Sequence, residues 1–176
     1  MRGRHLSLAL VLGPFGTIGA QVPVKTWQLS DSPITSIGLR EGTGPQLFGS
    51  IVGAVRLTTG TIVVAEGGSQ ELRLFSSTGT HLKTSGGKGG GPGEFRLMAP
   101  IQRCAGDSVF AYDPSQFRIS VFTPALDYVR TVDVRKWSSS GYPPSAPWCH
   151  PSGSMAFLHR SHERPTGEAP VRTGVA

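Results

Sequence analysis

GGKGGGPGEF, Gly86 to Phe95, has a fainter counterpart upstream in LREGTGPQLF, Leu39 to Phe48. Superposed at a shift of 47 residues, the two share Gly44 with Gly91, Pro45 with Pro92 and Phe48 with Phe95. The correspondence continues down the chain: Arg56 falls on Arg103, Glu66 on Asp113, Leu72 and Leu74 on Ile119 and Val121, and Phe75 on Phe122. A self-similar period of this length is the sequence signature of propellers, solenoids and arrays, so the repeat decides the architecture first.

Between the two glycine-rich stretches the chain reads SIVGAVRL, TTG, TIVVAE, GGSQ, ELRLF, SSTG and THLKTS. Short apolar or alternating runs separated by Gly and Ser predict four consecutive antiparallel strands joined by hairpins. No run is long enough for helical periodicity. The next copy, LMAPIQRC, SVFAYD, FRISVF and LDYVRTVDV, restates the pattern. In FRISVF, alternation sets Phe117, Ile119 and Val121 on a packed face and Arg118 and Ser120 on a wetter one. A third copy begins, with Tyr142 on Phe95, His150 on Arg103 and Phe157 on Phe110, and SMAFLHR as its second strand. Past Arg160 the chain carries charge, Pro and Gly without alternation, and the unit breaks off. The fold class expected is all-β: four-stranded antiparallel meander blades of an incomplete β-propeller.

Composition agrees. Glycine at 24 residues and proline at 14 punctuate short segments better than they serve long helices. The net charge of +6 would suit a polyanionic partner, but 13 of the 17 basic residues are Arg, asparagine is absent and the bases are scattered without a run. That is a dispersed basic surface, and no nucleic-acid partner is indicated.

The N-terminus, MRGRH followed by LSLALVLGPFGTIGA and QVPV, has the three-part pattern of a secretory signal peptide over residues 1–20, with cleavage after Ala20. Its apolar part falls short of the roughly 20 residues that cross a bilayer, so export with no membrane span after cleavage is expected, to the periplasm or beyond. Residues 21–37, with Trp27, Leu29 and Ile37, form a lead-in and a candidate closing strand. The repeats occupy 38–160, and 161–176 is an irregular tail. In an oxidising compartment Cys104 and Cys149 are permitted to form a disulfide, although spacing alone cannot bring their Cα atoms within the necessary 7 Å or so, and two buried thiols remain the alternative.

The GGKGGGPGEF loop, the strand pairs TIVVAE/ELRLF and SVFAYD/FRISVF with their acids Glu66 and Asp113, and the hairpin SSTGTHL together resemble the NHL-repeat-like six-bladed β-propellers common among exported bacterial proteins. The resemblance covers about residues 38 to 160. It implies four-stranded blades around a central channel, with the innermost strand of each blade lining it. The mature chain carries about three such units where that family closes with six, which points to a fragment of a longer ring. The alternative is two copies pairing as a homodimer to complete one.

The glycine-rich loop is no phosphate cradle: Lys88 is followed by Gly89 rather than Ser or Thr, and a strand rather than a helix comes next. A tight connection between blades explains Gly89, Gly91, Pro92, Gly93 and Phe95, and likewise Gly44, Pro45 and Phe48, with positive φ as the demand on the glycines. Arg56, Arg103 and His150 share one register position on successive first strands. Pointing inward they would make a basic arc for a carboxylate, phosphate or sugar acid; pointing between blades they would pair locally, with Glu66 or Asp113. His150, His159, His162 and Cys149 match no metal-ligand pattern, no cofactor is indicated, and no G-x-S-x-G elbow or placeable catalytic set occurs. The reading is a non-catalytic exported module that binds a protein, peptide or glycan. The rival is a fragment of a lactonase- or lyase-like propeller enzyme, a group that holds a channel metal with acids and Asn, and this chain has no Asn.

Overall fold

The computed structural model describes residues 26, 28–138, 142–145, 147–150 and 153–157. The expected signal segment, Trp27, His159, His162 and the tail 161–176 lie outside them. The chain divides into a short unit, 1–32, and a larger one, 33–176. In the short unit the Ser30 hydroxyl donates to the Ser32 carbonyl at 2.9 Å, and Leu29 is fully exposed. Of the lead-in 21–37, residues 21–25 and 27 lie outside the described ones, and residues 28–37 carry no strand.

The larger unit is built from two copies of one sheet. Strands β1 (Ile51–Arg56), β2 (Ile62–Glu66), β3 (Glu71–Phe75) and β4 (His81–Gly86) form the first, in sequential order and antiparallel throughout. Strands β5 (Gln102–Arg103), β6 (Val109–Asp113), β7 (Arg118–Phe122) and β8 (Tyr128–Asp133) form the second in the same order. A two-stranded piece, β9 (Trp148–Cys149) with β10 (Met155–Ala156), begins a third. The copying extends to irregularities. A bulge falls between Leu74 and Phe75 in the first sheet and between Val121 and Phe122 in the second, where the extra residue sharpens the local twist.

The same holds for the turns. Left-handed backbone occurs at Gln70 and Phe117, and again at the matched pairs Gly60 with Asp107 and Gly79 with Leu126. The second copy therefore adopts, with side chains in place, conformations that glycine supplies in the first. Strand β5 has two residues where eight were expected. Pro100 removes the N–H that the ladder needs there, and only Ala99, donating to Tyr112 O at 2.9 Å, continues the pairing.

The core lies between the sheets. Val63, Ala65, Leu72 and Leu74 of the first sheet meet Val109, Ala111, Phe122 and Leu126 of the second. On the second sheet's other side Tyr112, Ile119 and Val121 meet Met155 and Phe157. Each Val, Leu, Ile, Phe or Met side chain among them contributes about 1.5–3 kcal/mol on burial. This stacking overturns the expectation of a wetter face on β7: Ser120 is fully buried. Middle strands covered by a sheet on each side have no solvent face.

Candidate functional site

The first strands of successive copies lie side by side. Gly53 of β1 is so close to the next copy that an added Cβ would stand 3.1 Å from the Ile101 nitrogen. Arg103 donates through Nη1 to the Arg56 carbonyl, one full repeat back, at 3.4 Å. The Gln102 amide does the same one repeat forward. Its oxygen accepts the Cys149 N–H at 2.7 Å, and its nitrogen donates to the Pro147 carbonyl. Beside it Cys104 and Cys149 are joined by a disulfide with Cα atoms 5.5 Å apart. Cys149 sits one repeat after Gln102, and Cys104 is two residues beyond Gln102 on the same strand face, a relation that register counting could have found.

Neighbouring first strands, each opening a four-stranded meander, define how the copies are arranged. The fold is propeller-like. No family model matches the chain, and no curated protein matches it either. A solved structure of a candidate exported protein from Bacteroides fragilis aligns with a TM-score of 0.57 at 17% identity, covering 74% of this chain and 35% of that one. Virginiamycin B lyase from Staphylococcus aureus, in a catalytically inactive form with quinupristin, aligns with a TM-score of 0.47 at 10% identity, covering 61% of this chain and 33% of that one. The propeller-like chain thus spans about a third of the length of the structures it resembles.

The two repeated acids close loops. Glu66 Oε1 accepts the N–H groups of Gly49 and Ser50 at 3.0 and 2.7 Å. Its Oε2 accepts the Ser69 N–H at 2.5 Å and the Ser69 hydroxyl at 2.6 Å. One repeat on, Asp113 Oδ2 accepts the N–H groups of Arg96 and Leu97 at 2.7 and 3.3 Å. Its Oδ1 accepts from Ser115 and from the Gln116 N–H at 2.7 and 3.1 Å. Both carboxyls are buried. Burial pushes the Glu66 pKa up, but the Ser69 hydroxyl and the surrounding N–H groups outweigh it and hold the group at about 2, against an ordinary 4.5. Asp113 is likewise held low: burial opposes ionisation, and Gln116, Ser115 and the Arg96 and Leu97 N–H groups prevail.

A depressed carboxyl stabilises the fold above its ordinary pKa, and that contribution is lost as pH falls through the folded value. For Glu66 the window runs from 4.5 down to about 2, and a shift of this size corresponds to about 3 kcal/mol. Urea unfolding at pH 7, 4 and 2.5 is expected to show that loss. Glu66→Gln is expected to be less stable at pH 7 and to lose less on acidification; an unchanged pH slope in the variant would refute the assignment.

The glycine-rich loop is held from the third strand. Arg118 donates to the carbonyls of Gly90, Gly91 and Glu94 at 3.0, 2.8 and 2.6 Å. In the first copy Arg73 donates to Pro45 and Leu47 at 3.1 and 2.6 Å. Leu47 and Glu94 are one repeat apart, but Arg73 and Arg118 are not. The arginine has moved two residues along its strand, and Ser120, which replaces Arg73, keeps a buried hydroxyl with no partner among the described residues. Positive φ explains only part of the loop: Gly86, Gly87, Gly93 and Gly44 have it, whereas at Gly89 and Gly91 a Cβ would meet only the end of the flexible Glu94 side chain, which could swing aside. Phe95 is fully buried beside Phe122, and Phe48 packs on Phe75 at 6.0 Å in the first copy.

The predicted basic arc is drawn into local contacts. Arg56 Nε donates to Gly60 O in its own hairpin at 3.4 Å. Arg103 pairs with Asp107 at 3.6 Å, not with Glu66 or Asp113, and Asp107 in turn accepts the Thr58 N–H at 2.8 Å across the blade junction. His150 donates its N–H to Ser154 O at 2.8 Å, and its ring meets Trp148 edge-on at 5.9 Å. Arg103, Asp107 and the disulfide line a cavity of about 540 Å³ at this end of the sheets. Among the described residues no three His, Cys, Asp or Glu side chains converge as metal ligands. No helix among the described residues is long and apolar enough to cross a membrane.

Proposed function

We propose that the chain is a non-catalytic binding module of an exported, NHL-repeat-like propeller, six-bladed in its full ring, that presents its rim and loops to a protein, peptide or glycan. One observation carries this reading. The recurring acids, Glu66 and Asp113, are enclosed by the chain's own N–H and O–H donors. A carboxylate held that way is a poor general base and a poor metal ligand. Export is supported by the pattern of residues 1–20 and by the candidate exported neighbour. Calorimetric titration of the mature chain with Ca²⁺ and Zn²⁺ is expected to show no tight site, while a screen of peptides and glycans yields saturable binding that persists in chelator. Tight divalent binding abolished by Asp113→Asn would overturn the reading in favour of a metal-dependent enzyme.

A further inference from the structure

At the end of the second sheet away from the disulfide, beside the β6–β7 turn, a cleft of about 430 Å³ is lined by Arg96, Gln116, Arg118, Thr131, Asp133 and Arg135. Three guanidinium groups face one carboxylate there. Asp133 is already engaged, accepting from Arg135 Nη1 at 2.6 Å. Neither nearby acid forms an ion pair with Arg96 or Arg118 among the described residues: Asp113 is turned to backbone and side-chain donors, and Glu94 accepts the Gly91 N–H at 2.8 Å.

Two donors are left over. The exposed Arg96 guanidinium makes no hydrogen bond or ion pair with any described residue, although its backbone N–H serves Asp113. The Nε of Arg118 is buried and has no partner among the described residues, while its other nitrogens hold the loop carbonyls. Gly90 brings the two together: its carbonyl accepts from Arg118, and a Cβ on it would lie 3.5 Å from Arg96 Nη2. An unpaired buried N–H costs free energy, and crowded like charges add to that cost.

We propose that this cleft binds an oxyanion, the carboxylate of an acidic sugar or a phosphate group. Arg96 presents its planar fork, and the Arg118 guanidinium beside it adds positive charge. Planar guanidinium groups match both anions in a bidentate manner. The site deepens the binding-module reading and rests on it. It lies at the opposite end of the sheet from Arg56, Arg103 and His150, where sequence reasoning placed anion recognition.

The test is titration of the full mature chain with glucuronate, with inorganic phosphate and with neutral galactose, at constant ionic strength. Saturable binding of at least one anion is expected, weakened about tenfold in Arg96→Gln, since a charged hydrogen bond contributes about 1.5–3 kcal/mol. Preference for glucuronate or for phosphate identifies the source of the anion. Arg96→Gln leaves the backbone N–H on Asp113, so the variant retains the loop, and Arg56→Gln serves as the control that should bind as the parent does. Absence of anion binding, or equal binding by Arg96→Gln, overturns the site. Neutral-glycan binding without any anion binding would overturn the site while leaving the binding-module reading intact.

Discussion

Replacing Phe95 with alanine is expected to lower the free energy of unfolding by about 3–5 kcal/mol, the cost of truncating a buried aromatic side chain. Phe95 has no exposed surface and joins the core between the two sheets. Its ring lies 6.3 Å from that of Phe122, which meets Tyr128 edge-on at 6.0 Å. Its main chain closes the loop as well: the Phe95 N–H donates to Gly87 O at 2.8 Å, and its carbonyl accepts the Gly89 N–H at 3.0 Å. The equivalent change at Phe48, which is only partly buried, should cost clearly less. Urea unfolding of both variants decides the matter. Equal losses, or a loss below about 1 kcal/mol for Phe95→Ala, would mean that the loop is not anchored by this ring.

The second large effect concerns Cys104→Ser. The bond spans a sequence separation of 45 residues, and closing a loop of that length removes about 4 kcal/mol of chain entropy from the unfolded state. Its loss should be felt unevenly. The third unit would retain the Gln102 bonds to Pro147 and Cys149, the Tyr112 hydroxyl donating to Pro144 O at 2.9 Å, and the stacking of Trp137 on Phe157 at 5.1 Å. None of these contacts involves β2 or β3. Hydrogen exchange is therefore expected to rise across 147–157 in Cys104→Ser while β2 and β3 keep their protection. Uniform protection in the variant would show that the disulfide contributes little to holding that segment.

Much of this architecture was legible because the repeat writes the same local physics twice. The runs TIVVAE and ELRLF became β2 and β3, and SVFAYD and FRISVF became β6 and β7, with ends shifted by at most a residue. What stayed hidden depends on neighbours distant in sequence. The burial of Ser120 follows from sheets packing on both sides of β7, which alternation within one strand cannot report. Phe117 has left-handed backbone at a position read as an ordinary strand residue. The Glu66 and Asp113 pairing across copies was visible, but its use in loop closure required knowing that residues 49–50 and 96–97 return to the same sheet end. The cleft at Arg96, Arg118 and Arg135 was missed because those residues have no common period.

The displaced arginine bears on how such copies are to be compared. Aligned column by column, Glu71 stands against Arg118 and Arg73 against Ser120, and both columns count as mismatches. The wiring they carry is nevertheless retained, since Leu47 and Glu94 each receive a guanidinium at 2.6 Å. Kinship among units of this kind is better scored by which acceptor is reached than by which letter reaches it. Profiles built on letters alone will underestimate how many copies share one ancestor's plan.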